Sequence, residues 1–229
     1  MQNQEEVNAR VKRIFYDIAN ECQKIGIDQN KINVMAVTKT VPAEVVNGVL
    51  GCGINLIGEN RVQELLEKVE QYNVKKDSIH FIGYLQTNKV KYIIDKVSVI
   101  ESVHSVKLAK EVDIAAKNKN TLMEVFLEVN IGKQETKSGF YKEELQEALE
   151  LIAQLENIKV KGLMCIPPKE NTTYYFEEMQ SLFNEVTAKK IKGTSLEYLS
   201  MGMSGDYMEA IKYGSNIIRL GSAIFGKRN

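Results

Sequence analysis

Short apolar runs rich in β-branched residues alternate along this chain with segments of helical character. Eight such runs occur, and each has about the length of one strand. They lie near residues 32–38, 54–58, 79–83, 97–102, 122–130, 160–166, 195–200 and 216–220. Strands that alternate with helices form parallel sheets joined by right-handed crossovers. The alternation therefore predicts parallel strands with helices packed outside them.

The segments between these runs carry apolar residues at the 3–4 spacing of a helix. Residues 142–151, for example, place an apolar stripe beside a charged outer face. Helices are predicted at 5–25, 41–50, 60–72, 88–95, 105–118, 141–155, 172–189 and 205–213. Because the first of them precedes every strand, we expect residues 1–30 to form a helical extension packed on the rest of the chain.

Eight strand–helix units within 229 residues favour the α/β class and a single (β/α)8 TIM barrel over residues 1–229. An open doubly wound sheet is the alternative, and it requires a glycine-rich turn after the first strand. That turn comprises residues 38–42, which contain no glycine. The sequence therefore favours the closed barrel.

The charge balance excludes two classes of binding protein. Lysine plus arginine number 30, as do aspartate plus glutamate, whereas non-specific binders of nucleic acid or of membrane surfaces need excess positive charge. No apolar run approaches the roughly 18 residues of a membrane span, and the N-terminus is polar and acidic, unlike a signal peptide. The cysteines have no metal-ligand or disulfide spacing, so a cytoplasmic location is expected. They are Cys22, Cys52 and Cys165.

Lys39 stands directly after the first apolar run. A lysine near apolar walls is desolvated, which favours the free amine, and a free amine forms a Schiff base with an aldehyde cofactor. The alternative is an ordinary lysine at a strand end, with its ammonium group extended to water. The first run alone does not decide between these roles.

The ends of the last two strands have the composition of a phosphate site. Barrels often bind phosphate on the loops after strands 7 and 8. Residues 200–205 supply the hydroxyls of Ser200 and Ser204, and Gly221 and Ser222 form a second close-approach turn. Arg219 lies two residues before Gly221, so strand alternation puts both on one face, and a buried guanidinium needs a partner.

Other candidate residues carry weaker signals. His80 and His104 have neither a metal spacing nor a nucleophile-elbow motif near them, so we expect structural or supporting roles for both. Cys165 is expected to be a buried thiol. Residues 130–139 form a polar loop long enough to act as a lid, and a plain solvated loop is the equal alternative.

An amine, a phosphate cradle and a buried arginine on one rim match the needs of pyridoxal 5′-phosphate. An arginine cannot accept a proton from the ring nitrogen, so it would leave the pyridine unprotonated. That arrangement weakens the ring as an electron sink. It predicts a good binder of the cofactor and a poor catalyst.

Several motifs occur in order at 36–39 (Ala-Val-Thr-Lys), 57–60 (Ile-Gly-Glu-Asn), 80–89, 137–139 (Lys-Ser-Gly), 162–164, 199–204 and 218–226. In these motifs the chain resembles the pyridoxal phosphate homeostasis proteins, a family similar to the barrel domain of bacterial alanine racemases. The resemblance covers nearly the whole chain. Two positions depart from the family pattern, because the family often has proline in place of Tyr84 and threonine in place of Ser222.

The resemblance implies a set of cofactor-binding residues and no catalytic or metal-binding residue. Lys39 would carry pyridoxal 5′-phosphate, and Arg219 would contact its ring nitrogen. Asn60 would lie beside the cofactor. The phosphate contacts would come from Ser200 and from the backbone of Gly221 and Ser222, with Ser204 in the same cradle.

The resemblance also implies a role. The chain ends directly after the eighth strand, without the C-terminal β-domain that supplies the second acid/base of the racemases. A non-catalytic, monomeric binding protein for pyridoxal phosphate homeostasis and amino/keto acid balance is therefore expected, with apoenzymes that require the cofactor as candidate recipients. The alternatives are a weak racemase or lyase that uses the same cofactor, and an unrelated phosphosugar barrel enzyme that uses Lys39.

Overall fold

The computed structural model of the chain, which describes residues 4–226, is a closed barrel of eight parallel strands. Each strand pairs with the next along the chain, and the last pairs with the first, so the predicted (β/α)8 barrel is confirmed. The strands are β1 (Asn33–Val37), β2 (Leu56–Glu59), β3 (Ile79–Phe81), β4 (Val99–Val103), β5 (Met123–Val129), β6 (Ile158–Cys165), β7 (Thr194–Met203) and β8 (Ile217–Leu220).

Helices follow the strands as the alternation predicts. They are α1 (Gln4–Ile25), α2 (Ala43–Leu50), α3 (Val62–Lys68), α4 (Val90–Ile93), α5 (Val106–Asn118), α6 (Leu145–Ile152), α7 (Thr172–Ala188), α8 (Tyr207–Lys212) and α9 (Ser222–Phe225). The predicted helix at 141–155 begins only at Leu145. Its first residues form a turn instead, in which Tyr141 donates its backbone N–H to the Glu144 carboxylate at 3.1 Å.

The N-terminal helix α1 packs against α2, α8 and α9 on the outside of the barrel. Its buried face has the periodicity seen in the sequence and comprises Val7, Val11, Ile14, Ile18 and Cys22. Arg10 adds a hydrogen bond to the Ile224 carbonyl at 3.4 Å. The outer face of α1, the longest helix described, is charged. Among residues 4–226, no helix has both the length and the apolar character needed to cross a membrane.

The inside of the barrel is filled in layers, because every second residue of a strand points inward. A small apolar cluster fills it and comprises Met35, Val37, Ile82, Val99, Phe126, Met164 and Ile217. Two residues further along three of these strands come Glu101, Glu128 and Arg219. Along these strands, apolar side chains fill the middle of the barrel, and polar side chains follow them near the carboxyl ends of the strands.

Candidate functional site

The carboxyl ends of the strands meet at one rim, where the ends of β2, β3, β5 and β6 line a cavity of about 430 Å³, here called the mouth cavity. Its lining includes Asn60, Tyr84, Glu128 and Lys137. Lys39 follows β1 at this rim, and the predicted phosphate residues follow β7 and β8. The fold therefore brings the predicted site residues to one end of the barrel.

Lys39 is exposed. The expectation that apolar walls desolvate its amine is wrong, because β1 ends at Val37 and the lysine lies beyond it in a turn. The next residue, Thr40, has a φ of 61°. A β-branched residue rarely adopts this left-handed conformation, and it persists only where the surroundings impose it.

The contacts that impose this turn come from helix α3. Glu64 accepts a hydrogen bond from the backbone N–H of Thr40 at 2.5 Å. Lys68 donates to the Thr38 carbonyl at 2.9 Å and to the Val41 carbonyl at 3.4 Å. The backbone on both sides of Lys39 is therefore fixed while its side chain stays free of these contacts.

A buried carboxylate, Glu59, completes this support. It accepts from the Thr38 hydroxyl at 2.7 Å and from the Tyr72 hydroxyl, and it lies 2.9 Å from the Lys68 ammonium. Burial and the adjacent negative charge of Glu59 raise the pKa of the Tyr72 hydroxyl. This cluster was not predicted, because the sequence assigns residues 60–72 only to a helix. The i,i+4 spacing of Glu64 and Lys68 was the available signal.

Arg219 is buried inside the barrel, where its guanidinium group donates two hydrogen bonds. One guanidinium nitrogen donates to the Ser200 hydroxyl at 2.7 Å, and the other donates to the Cys165 carbonyl at 2.7 Å. Burial raises the pKa of the Cys165 thiol to about 12, as befits the inert buried thiol that the sequence predicts. The strands β6, β7 and β8 thus hold the guanidinium in one position.

Ser200 connects Arg219 to the far side of the barrel. Its hydroxyl donates to Glu101 at 2.6 Å, and the other oxygen of Glu101 lies 2.6 Å from His80 Nδ1. This His80–Glu101–Ser200–Arg219 chain, here called the barrel relay, is made of buried side chains from four strands. His80 has the supporting role that was expected, whereas Glu101 was not singled out.

The contacts of Ser200 differ from those that the family resemblance implies. The side chain is fully buried, and its proton is already committed to Glu101. Ser204 is the serine at the rim. Its hydroxyl accepts from the backbone N–H groups of Gly221 at 3.2 Å and Ala223 at 3.0 Å, which ties the loops after β7 and β8 together. The adjoining Ser222 is exposed, so it is accessible to a ligand.

Asn60 has an unsatisfied acceptor in the mouth cavity. Its side-chain oxygen is buried and makes no hydrogen bond among the residues that the structure describes. The absence of a side chain at Gly83 lets the Asn60 backbone approach this closely, because a Cβ at that position would lie 1.9 Å from the Asn60 backbone carbonyl oxygen. A buried polar atom without a partner is costly unless a ligand or water satisfies it. Asn60 therefore fits a place beside a bound polar group.

The loop at residues 130–139 is held over the same cavity. The Asn130 side chain donates to the carbonyls of Gln134 at 2.8 Å and Lys137 at 3.1 Å. The Lys137 ammonium donates to the Ile166 carbonyl at 3.1 Å, and Ser138 donates to the Glu128 carboxylate at 2.9 Å. These contacts make the loop an ordered wall of the cavity.

Ionisation of Glu128, which lies at this wall, makes the stability of the native state depend on pH. Burial raises the pKa of its carboxyl, although the Ser138 hydrogen bond and the charges of His104, Arg219 and Lys137 act in the opposite direction. Because the native pKa lies above that of the unfolded chain, the native state binds the proton more tightly. The contribution of Glu128 to stability is therefore greatest below the ordinary pKa of glutamate and declines as the pH rises through the raised pKa.

A Glu128→Gln variant is expected to lose this decline. Its melting temperature relative to wild type should rise as the pH increases from about 4 to about 8, because the neutral amide escapes the cost of ionisation. Melting curves of both proteins across this range measure the difference. A difference that falls with increasing pH would contradict the burial argument.

Comparisons with known proteins agree with this architecture. A model of the alanine racemase N-terminal domain family matches residues 18–229. A pyridoxal phosphate homeostasis protein of Aquifex aeolicus is 40% identical over 223 residues, which cover 96% of this chain and 97% of the relative. PipY of Synechococcus elongatus, solved with PLP bound, matches with a TM-score of 0.79 at 28% identity and covers 91% of this chain and 100% of its own.

The racemases themselves share the fold. Alanine racemase of Clostridium difficile 630 matches with a TM-score of 0.73 at 17% identity, over 93% of this chain and 59% of the racemase chain. The family model spans almost all of the chain, and the Aquifex relative is similar over its full length. The chain therefore belongs to the alanine racemase N-terminal domain family and, by its similarity along the whole sequence, to the pyridoxal phosphate homeostasis proteins.

Proposed function

We propose that this chain binds pyridoxal 5′-phosphate, holds it on Lys39 as a Schiff base, and takes part in homeostasis of the cofactor and in amino/keto acid balance. One observation carries the proposal. An accessible lysine, the joined loops after β7 and β8, and a fixed arginine share one end of a barrel whose relative PipY was solved with PLP bound. A cytoplasmic, monomeric protein is part of the proposal.

The residues present fit the cofactor at four points. Lys39 supplies the amine, and the unpartnered oxygen of Asn60 supplies an acceptor beside it. The Ser204 hydroxyl and the backbone of Gly221 and Ser222 would hold the phosphate. Ser200 serves this site indirectly, because it holds Arg219 in place while Arg219 would contact the ring nitrogen.

We infer a binding and carrier role rather than catalysis. When bound, pyridoxal phosphate supplies an electron sink whose strength depends on protonation of its ring nitrogen. The Arg219 guanidinium neither accepts a proton nor releases one, so it cannot protonate the ring nitrogen. Its hydrogen bonds to Ser200 and to the Cys165 carbonyl hold it in place. The chain's own residues therefore favour retention of the cofactor over turnover, with apoenzymes as candidate recipients.

Turnover is the outcome that separates the carrier from the alternative, a weak racemase or lyase. The cofactor-loaded protein should convert no amino acid across a broad panel faster than free cofactor does. Steady turnover that is lost in Lys39→Ala would establish an enzyme instead. A phosphosugar enzyme that uses Lys39 would lack visible absorption altogether, so one spectrum of the purified protein distinguishes it.

Binding of the cofactor should also raise the melting temperature. A ligand that binds only the native state stabilises it by about 2.7 kcal/mol at a free concentration of 100 Kd, and the increment grows with the logarithm of concentration. For a chain of this length that corresponds to a rise of roughly 5–11 °C. Melting curves at increasing pyridoxal phosphate, with inorganic phosphate as the control, test this expectation. A melting temperature indifferent to the cofactor would contradict specific binding.

A further inference from the structure

A second cavity lies at the opposite end of the barrel, where the strands begin. It has a volume of about 460 Å³ and is here called the lower cavity. The residues that line it and carry the argument are Lys76, Asp77, His80, Glu124, Phe126 and Tyr198. None of them belongs to the rim that holds Lys39. The amino ends of barrel strands ordinarily serve stability, so a polar cavity there requires a separate explanation.

The inner wall of the lower cavity is the far end of the barrel relay. His80 is 5% exposed, and its Nδ1 lies 2.6 Å from the buried Glu101 carboxylate. Since that carboxylate accepts the hydrogen bond, Nδ1 carries a proton, and Nε2 is the ring nitrogen left to contact a ligand. Within residues 4–226, Nε2 has no hydrogen-bond partner, and it is not among the atoms sealed from solvent.

Two acidic residues, Asp77 and Glu124, line the same space, and neither forms a salt bridge among the described residues. Two lysines of β6 lie near Glu124. Lys159 is in register with it on the neighbouring strand, and Lys161, which the charge of Glu124 also reaches, forms its ion pair with Glu197 at 2.5 Å. Lys76, the one cation on the described lining, has the Ile94 carbonyl at 3.5 Å as its hydrogen-bond partner.

The remaining wall is aromatic. Phe126 and Tyr198 stack with ring centroids 5.6 Å apart and planes inclined by 23°. Because the Phe126 side chain is fully buried, Tyr198 is the ring of this pair that can meet a ligand. Aromatic faces attract organic cations. A metal ion does not fit the same acceptors, because no group of three His, Cys, Asp or Glu side chains in the described part of the chain converges on a metal position.

We propose that the lower cavity is a second binding site, for a small ammonium-bearing molecule. The ammonium donates to Glu124, Asp77 and the His80 Nε2, and the carbon skeleton of the molecule lies against Tyr198. Lys76 adds a contact for an anionic group on the same molecule. The shared chemistry is the primary ammonium, which occurs both in simple alkylamines and in free amino acids.

The two histidines of the chain provide a direct readout, because His80 lines the lower cavity and His104 follows β4 at the mouth. The experiment uses cofactor-free protein, in which an amine has no aldehyde to react with. Histidine ring signals are followed by NMR during titration with ethylamine, alanine or acetate, and His80→Gln assigns them. Because no cofactor is present, the result is independent of whether the proposed cofactor function holds.

The expected result is a saturable shift of the His80 signal with ethylamine and alanine, no shift with acetate, and none at His104. Tighter binding of alanine identifies an amino acid through Lys76, whereas equal or tighter binding of ethylamine identifies a plain amine. Glu124→Gln and Asp77→Asn should each weaken binding about tenfold or more, the effect of one lost charge-assisted hydrogen bond. The exposed Glu147→Gln is the matched control and should bind as wild type. Absence of a saturable shift, or unchanged affinity in both cavity variants, overturns the proposal.

Discussion

A Lys39→Ala variant is expected to lose the visible absorption of bound pyridoxal phosphate and its labelling by borohydride. The phosphate and ring contacts remain in this variant, so weak binding persists, but without the covalent bond affinity should fall by at least about 100-fold, or about 2.7 kcal/mol. Lys39 is exposed, and the turn around it is held through backbone contacts of its neighbours. The free energy of unfolding should therefore change by no more than about 0.5 kcal/mol.

Lys137 provides the control for this experiment. It is a second amine on the lining of the mouth cavity, but its ammonium already donates to the Ile166 and Pro167 carbonyls. Lys137→Ala should keep both the absorption and the borohydride label. A Lys39→Ala protein that retained the absorption, or a label found on Lys137 in wild type, would disprove the assignment of Lys39.

A Glu101→Leu variant should have the largest effect on stability. Glu101 is the fully buried carboxylate that accepts from Ser200 and His80, and it is the anion of the relay that contains Arg219. Its removal deprives the buried Arg219 of the carboxylate that is linked to it through Ser200, and it leaves the Ser200 and His80 donors without their acceptor, which together costs about 3–5 kcal/mol. For a chain of this length the melting temperature should fall by roughly 10 °C in cofactor-free protein.

A second substitution distinguishes charge from packing. In Glu101→Leu/Arg219→Met both buried charges are absent, so more than half of the lost stability should return. Glu147→Leu, on an exposed face of α6, should stay within about 0.5 kcal/mol of wild type. A double variant no more stable than Glu101→Leu alone would show that the carboxylate acts through packing and not through the charge of Arg219.

The fold was predictable because its signal is local and repeated. Eight apolar runs separated by helical periodicity predict eight parallel strands, and the order of the strands in the barrel is the order in the sequence. The placement of Lys39, Arg219 and Gly221 at one end then followed from the rule that strand carboxyl ends converge. The predicted helix at 141–155 began late because a short turn, closed by Glu144, competes with the helix there.

The support of the site was not predictable from spacing. Glu101 and Ser200 lie on strands far apart in sequence, and only barrel closure brings them to 2.6 Å. Lys68 and Glu64 have the spacing of an ordinary i,i+4 pair on a helix, and that spacing gives no sign that they hold the turn at Thr40. Burial of Lys39 was wrong for a related reason, because the end of β1 could not be located to one residue. Local patterns identify which residues face a site and miss the long-range contacts that hold them.

The pairing of β8 with β1 determines when the site can form during synthesis of the chain. Met35 is in register with Arg219 on the neighbouring strand, so the amine near one end of the chain and the arginine and phosphate loops near the other become adjacent only when the barrel closes. During synthesis β8 leaves the ribosome after the other seven strands. A nascent chain that lacks β8 therefore has no assembled site, and the proposed cofactor site exists only in the closed barrel.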